Sequence, residues 1–321
     1  MNKKQKYRQF CQTEPSIPIF SKDWWLDAVC GEDNWDVAIV EKGGSIVATM
    51  PYYVKRKMGL KLMVQPPLTQ TLGPYIKYPK IQKYYKKLSW EKKLMDELIA
   101  QLPYFDYFSQ NFYHKVTNYL GFYWKEFKQT TRYTYIIENI SIEDLEKQFE
   151  TDIRRRRRKA EKMGVTVVEG NEIDIFYKLN KMTFDRQDIK IPYNFEFIKE
   201  LYQRVKSHNA GKMYFARDSD NNYIAANFLV YDDNTVYYLM GGIEPNKKDL
   251  GGMDVVQFES IKFALQTGRV FDFEGSMIES IEKYFRSFGA KQVPYFSVSK
   301  VSKRMMPIYY GYELVRGLLK K

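Results

Sequence analysis

Cysteine and histidine are nearly missing from this chain of 321 residues, which has two of each. Cys11 and Cys30 lie outside any C-x-x-C pair, and two thiols cannot build a disulfide framework, so a reducing compartment is expected. With only His114 and His208 beside them, no metal site is expected. Long apolar runs are also missing. None approaches the ~20 residues of a membrane span, and the basic start MNKKQKYRQF lacks the apolar core of a secretion signal. The expectation is a cytoplasmic protein without integral membrane segments, any membrane contact being peripheral.

Apolar residues are plentiful at 44%, with 17% aromatic and 27 tyrosines. That is ample for a packed core and excludes general disorder. The net charge of +12 suits anionic partners such as nucleic acid, acidic lipid or a phosphate-rich small molecule. It is equally the charge of a well-solvated surface.

The first third reads as strands with one good helix. Runs at 37–41 and 46–54 flank Lys42-Gly43-Gly44-Ser45, a hairpin signal. A helix is expected over 91–102, a buried strand over 104–109, and a further strand from 121 to 127. The pattern resets near 129–131. Ser141-Ile142-Glu143-Asp144 is a capping signature, and one long helix is expected from it to Met163, stopped by Gly164. A strand, two helices and a three-strand meander at 213–217, 224–231 and 235–240 follow. Then come a helix over 252–266, a strand over 270–273, a helix over 278–288 and a strand over 293–299. This is mixed α/β with a meander feeding a βα unit. Two domains are expected, at 1–129 and 130–321.

The most informative segment joins the meander to the next helix. The strand ends in Met240-Gly241-Gly242, a loop carries Lys247 and Lys248, and Gly251-Gly252 open an apolar helix. Free N–H groups at a helix start bind anions, glycines let a phosphate approach, and the lysines add charge. The same residues also suit a plain tight turn with a glycine cap.

This order of elements resembles the GNAT superfamily of N-acyltransferases, whose pyrophosphate loop reads Arg/Gln-x-x-Gly-x-Gly/Ala. Lys248-x-x-Gly251-x-Met253 matches it in part, with the second small residue one position early at Gly252. Tyr284, four residues before Phe288-Gly289, resembles the tyrosine that protonates the leaving thiolate in that superfamily. Phe271-Asp272-Phe273-Glu274-Gly275-Ser276 and the basic helix ending at Gly164 resemble the Fem-type and BioF2-like (FemAB-like) branch. That resemblance implies two GNAT-like domains in tandem, the second better marked. It implies acetyl-CoA or another acyl-CoA as co-substrate, bound by Met240, Gly242, Lys247, Lys248, Gly251, Gly252 and Met253. The strand edge at Met240 to Gly242 would offer backbone N–H groups to the donor carbonyl, and Tyr238 would face the substrate.

Residues 154–158 are five arginines. On one continuous helix from 142, an apolar stripe of Ile142, Leu145, Phe149, Ile153, Ala160 and Met163 would carry Arg156 in its middle. An inward arginine must be paired or must line a polar cleft. Arg156 is therefore expected either to bind an acceptor's anionic group, as the Fem resemblance implies, or to pair with a core carboxylate. Glu274, at the end of its strand, is a candidate base for the amine or a cap for the next helix. Fem-type enzymes carry a lysine where Phe285 stands, and Arg286 is the neighbour able to take its role.

The reading is an acyltransferase that acts on an amine bound between its domains, either a small molecule or a cell-wall (peptidoglycan) precursor. Two alternatives stay open: a Fem-like transferase using aminoacyl-tRNA, and a non-catalytic anion-binding protein.

Overall fold

The computed structural model describes residues 1–80, 83–275 and 277–319. Ser276, part of the strand–helix junction named above, lies outside them. The chain divides into two compact units, one of residues 1–132 and 294–321, the other of residues 133–293.

The first unit opens with two helices that periodicity did not reveal, α1 (Lys3–Thr13) and α2 (Asp23–Cys30). Then come β1 (Trp35–Lys42), β2 (Ser45–Lys57), β3 (Leu60–Val64), β4 (Tyr75–Ile76), α3 (Tyr84–Ile99), β5 (Tyr107–Asn111) and α4 (Leu120–Tyr123). Gly43 and Gly44 both have positive φ and turn β1 into β2, with Lys42 opposite Ser45. Strand 121–127 does not form. Its start is α4, where a Cβ on Gly121 would stand 2.8 Å from Met95 of α3, so the glycine lets two helices touch. Met50, Leu94, Phe108, Phe112, Phe122, Phe127 and Val298 form this unit's core.

β6 (Lys128–Ile137) leads into the second unit. There follow α5 (Ile142–Gln148), α6 (Thr151–Lys162), β7 (Thr166–Gly170), α7 (Ile173–Asp185), α8 (Phe195–Ser207), β8 (Gly211–Arg217), β9 (Tyr223–Tyr231) and β10 (Thr235–Ile243). A 3-10 turn over Pro245–Leu250 precedes α9 (Gly252–Gln266), β11 (Val270–Asp272), α10 (Glu279–Arg286) and β12 (Lys291–Val301). The sheet order is β6-β11-β10-β9-β8-β7, with only β10–β11 parallel. This unit closes at Val293 instead of running to 321. The later residues of β12 pair with β5, Ser297 opposite Asn111, and α11 (Met306–Leu319) follows them in the first unit.

The expected long helix is two helices. Phe149 and Glu150 are extended, and they separate α5 from α6. Phe149 turns into the core against Phe258 and Phe288, and Glu150 N–H donates to Ser287 O at 2.9 Å. The break shifts the helical phase. The inward stripe of α6 is Ile153, Arg157 and Ala160, so Arg157, not Arg156, is the buried arginine. Its guanidinium lies 3.4 Å from the Phe258 ring centre and pairs with Glu146 at 3.1 Å. No helix among the described residues is long and apolar enough to cross a membrane.

Candidate active site

β10 and β11 pair only over 235–237 against Val270–Asp272, after which β10 continues to Ile243 paired with β9 but no longer with β11. The sheet is therefore open on one edge of β10. Helix α7 uses part of that edge. Asn180 Nδ2 donates to Gly241 O at 2.7 Å, and Ile243 N–H donates to Thr183 Oγ1 at 3.2 Å. A Cβ on Gly242 would collide with the α7 backbone at Leu179 and Asn180, and Met240 is buried. The edge at Met240 to Gly242, expected to present free N–H groups, is thus packed on a helix. Close backbone packing, rather than room for a ligand, requires Gly242.

Beneath the opening lies a cluster of buried titratable groups. Asp272, at the end of β11, is 3% exposed. It accepts from the Thr134 hydroxyl and, at 2.8 Å, from the Glu274 N–H. Burial pushes its carboxyl up to about 6. Glu274 has φ +60 and is followed by Gly275 at φ +66. A side chain on Gly275 would strike the β6 backbone at Tyr133 and Thr134, so the chain turns sharply there in a conformation costly for a glutamate. Burial and then the charge of Asp272 push the Glu274 carboxyl well above its ordinary value. Glu274 does not cap α10, whose N-cap is Ile278.

Tyr238 and Tyr284 join the carboxylates. Burial raises both hydroxyls, Tyr238 further through Glu274, and Tyr284 through Asp254 and Tyr238. The Tyr284 Oη is buried beside Asp254 without a well-formed hydrogen bond. Asp254, in the first turn of α9 and 5% exposed, is held by Arg156 through Nε at 2.6 Å and a second nitrogen at 3.3 Å. Arg156 therefore pairs with a buried carboxylate. Sequence reasoning missed Asp254, although an acid opening an apolar helix carries a signal: it faces the positive end of the helix dipole.

At the start of α9, Gly251 is left-handed at φ +74 and caps the helix. A Cβ there would stand 3.0 Å from Arg156 O, and one on Gly252 would stand 2.9 Å from Ile224. Contact with α6 and β9 fixes both glycines, and they also make the turn. The N–H groups of Gly252 and Met253 nevertheless donate to no acceptor among the described residues, whereas those of Asp254 and Val255 bond Gly251 O. Lys247 pairs with Asp218, lowering that carboxyl to about 2. Lys248 is exposed and unpaired among the described residues. Arg286 lies apart from the cluster, exposed and paired with Glu282 at 3.2 Å and Glu150 at 3.4 Å. The fold thus brings together Arg156, Tyr238, Glu274 and Tyr284 and leaves out Lys247 and Arg286.

Residues 147–286 match the family model for an acetyltransferase (GNAT) domain. No curated protein sequence matches the chain. Among solved structures, FemX superposes with a TM-score of 0.70 at 13% identity, over 97% of this chain and 98% of its own. L-PGS from Bacillus licheniformis does so at 0.58 and 11% identity, over 95% and 94%. The C-terminal domain of a putative lysylphosphatidylglycerol synthetase from Agrobacterium fabrum does so at 0.54 and 10% identity, over 97% of each chain. At such identities the likeness is one of fold, and it runs through both units. Two findings therefore stand side by side: residues 147–286 carry an acetyltransferase (GNAT) domain, and the fold along almost the whole chain is like that of FemX.

Proposed function

We propose that the chain is an N-acyltransferase that moves an acyl group from acyl-CoA, acetyl-CoA being the simplest case, to an amine. The observation that carries this is the junction of Glu274, Tyr238 and Tyr284 beneath the opening between β10 and β11. Acyl-CoA, when bound, supplies the activated thioester. The free N–H groups of Gly252 and Met253 and the unpaired Lys248 would hold its phosphates. Glu274 accepts the proton that the amine loses; its raised pKa makes it a stronger base than an exposed carboxylate. Tyr284 keeps its proton at neutral pH and gives it to the departing sulfur. The net change is one amide bond formed, one thioester bond broken, and one proton moved from nitrogen to sulfur. Asp254 keeps Arg156 beside Tyr284, where its charge steadies the tyrosinate left behind. The acceptor is a small-molecule or cell-wall-precursor amine, and the two unpaired cysteines suit a cytoplasmic setting.

A second reading has aminoacyl-tRNA as the donor. Arg154, Arg155, Arg158, Lys159 and Lys162 line one depression on α6, a face suited to a polyphosphate. Two titrations separate the readings. A thermal shift with CoA that Lys248→Ala weakens supports acyl-CoA. No response to CoA, with salt-sensitive tRNA binding, replaces it with the second reading.

A further inference from the structure

Five large apolar side chains among the described residues of the last helix, α11, stand in water. Its 14 residues begin Met306-Pro307-Ile308-Tyr309-Tyr310-Gly311. Met306, Ile308, Tyr310, Leu314 and Val315 are exposed, Ile308 by 58% and Leu314 by 68%. Pro307 and Gly311 are exposed with them. At 3.6 residues per turn these seven fall on one arc of roughly 200° that carries no charge. A helix seated on a globular core shows an apolar stripe nearer ~100° wide, so half of this arc has no use in ordinary packing.

The orientation is fixed by Tyr309, off the arc, and by Tyr310 near its edge. Tyr309 stacks on Tyr107 of β5, ring centres 5.8 Å apart. Lys128 Nζ donates to the Tyr310 hydroxyl at 3.2 Å and lies 5.7 Å from its ring. These anchors keep the arc turned outward. Three exposed cations stand by it, Lys128 beside Tyr310 and Lys303 and Arg304 just before its first turn. Asp106, the acid nearest Arg304, is buried.

We propose that α11 is a surface helix that lays this arc into the headgroup region of an anionic lipid bilayer. Three features select lipid over a protein groove. The one polar side-chain group among the arc's described residues, the Tyr310 hydroxyl, lies toward its edge and already accepts from Lys128. Its rim is cationic, complementary to acidic headgroups. A tyrosine stands at its edge, as at membrane interfaces. At about 21 Å the helix is too short to cross a ~30 Å hydrocarbon core, so it lies in the plane of the surface. This binding is independent of the transfer reaction proposed above.

The test is co-sedimentation of the whole chain with phosphatidylcholine vesicles with and without phosphatidylglycerol. The chain should pellet with the anionic vesicles, and Ile308→Glu with Leu314→Glu should lower that partition at least about tenfold. Both positions are exposed, so the thermal midpoint should not move, and a lowered midpoint would disqualify that variant. Lys303→Glu with Arg304→Glu should then lower partition into the anionic vesicles only. Tyr310→Trp should show a blue-shifted emission on adding those vesicles. Absence of anionic-vesicle binding by the unaltered chain would overturn the proposal. So would binding that both double variants retain, or a solution dimer that the glutamate pair splits in place of vesicle binding.

Discussion

The two units bury carboxylates under opposite regimes. In the first, Asp106 is 1% exposed but accepts from the Lys61 N–H at 2.9 Å and the Tyr104 hydroxyl at 2.8 Å, which hold its carboxyl below the ordinary range. In the second, burial outweighs the donors to Asp272, and the neighbouring charge of Asp272 adds to the burial of Glu274. Both carboxyls are pushed up. The balance of burial and hydrogen bonding decides the outcome: hydrogen bonds dominate at Asp106 and keep it ionised, whereas burial dominates at Asp272 and Glu274 and raises their affinity for a proton. The second condition costs stability and suits a group that must exchange protons.

The largest expected contrast follows directly. Glu274→Gln should lower turnover by about 10²–10⁴-fold with little loss of thermal midpoint. Asp106→Asn should lower the midpoint and leave turnover unchanged. Parallel melts and rate measurements check both, and a reversed pattern would end the comparison. Tyr284→Phe comes next. Loss of the proton donor should cost about 10²-fold in kcat, with a midpoint unchanged or raised, since the deleted hydroxyl is buried without a well-formed hydrogen bond.

Arg156→Ala should cost about 1–3 kcal/mol, read by denaturant unfolding, because Asp254 is left buried without its partner. The half-exposed guanidinium keeps this below the cost of breaking a fully buried pair. Arg157→Ala should also destabilise, through the lost contact with Phe258, but should not change the pH dependence of transfer.

The smallest effects concern pH and stability. Asp218 is about 2 in the folded chain against an ordinary 3.8, so its contribution is complete above 3.8 and is lost as pH falls toward 2. Asp272 is shifted the other way, to about 6. Its folded form binds the proton more tightly, so the stability linked to it falls as pH rises from 3.8 to about 6 and is flat beyond. Melts of Asp272→Asn across that window should lose this slope, and those of Asp218→Asn should lose only the acidic one. For catalysis the sign is that of a base: the rate should rise with pH through the raised pKa of Glu274, and Glu274→Gln should remove that limb.

Much of the second unit was legible because its periodicities are strong. The meander, the Gly-Gly helix start and the βα unit fall close to their expected places, and Glu274 and Tyr284 do sit in one cluster. The glycines of the loop were read by their freedom, whereas contacts with α6, α7 and β9 explain Gly251, Gly252 and Gly242. The helix broken at Phe149 and Glu150 was invisible, because capping and spacing around Ser141 favour one continuous helix.

What the sequence alone determined is local: which residues alternate, where turns fall, and that an arginine near 156 must find a partner. Its own helix phase was not secure even there, since one break moved the inward position from Arg156 to Arg157. The tertiary structure alone decided the partners. Asp254 lies 98 positions from Arg156, and Thr134 lies 138 from Asp272. Periodicity says which face of an element turns inward. Strand order and helix packing decide what that face meets, and a carboxylate's proton affinity depends on what it meets.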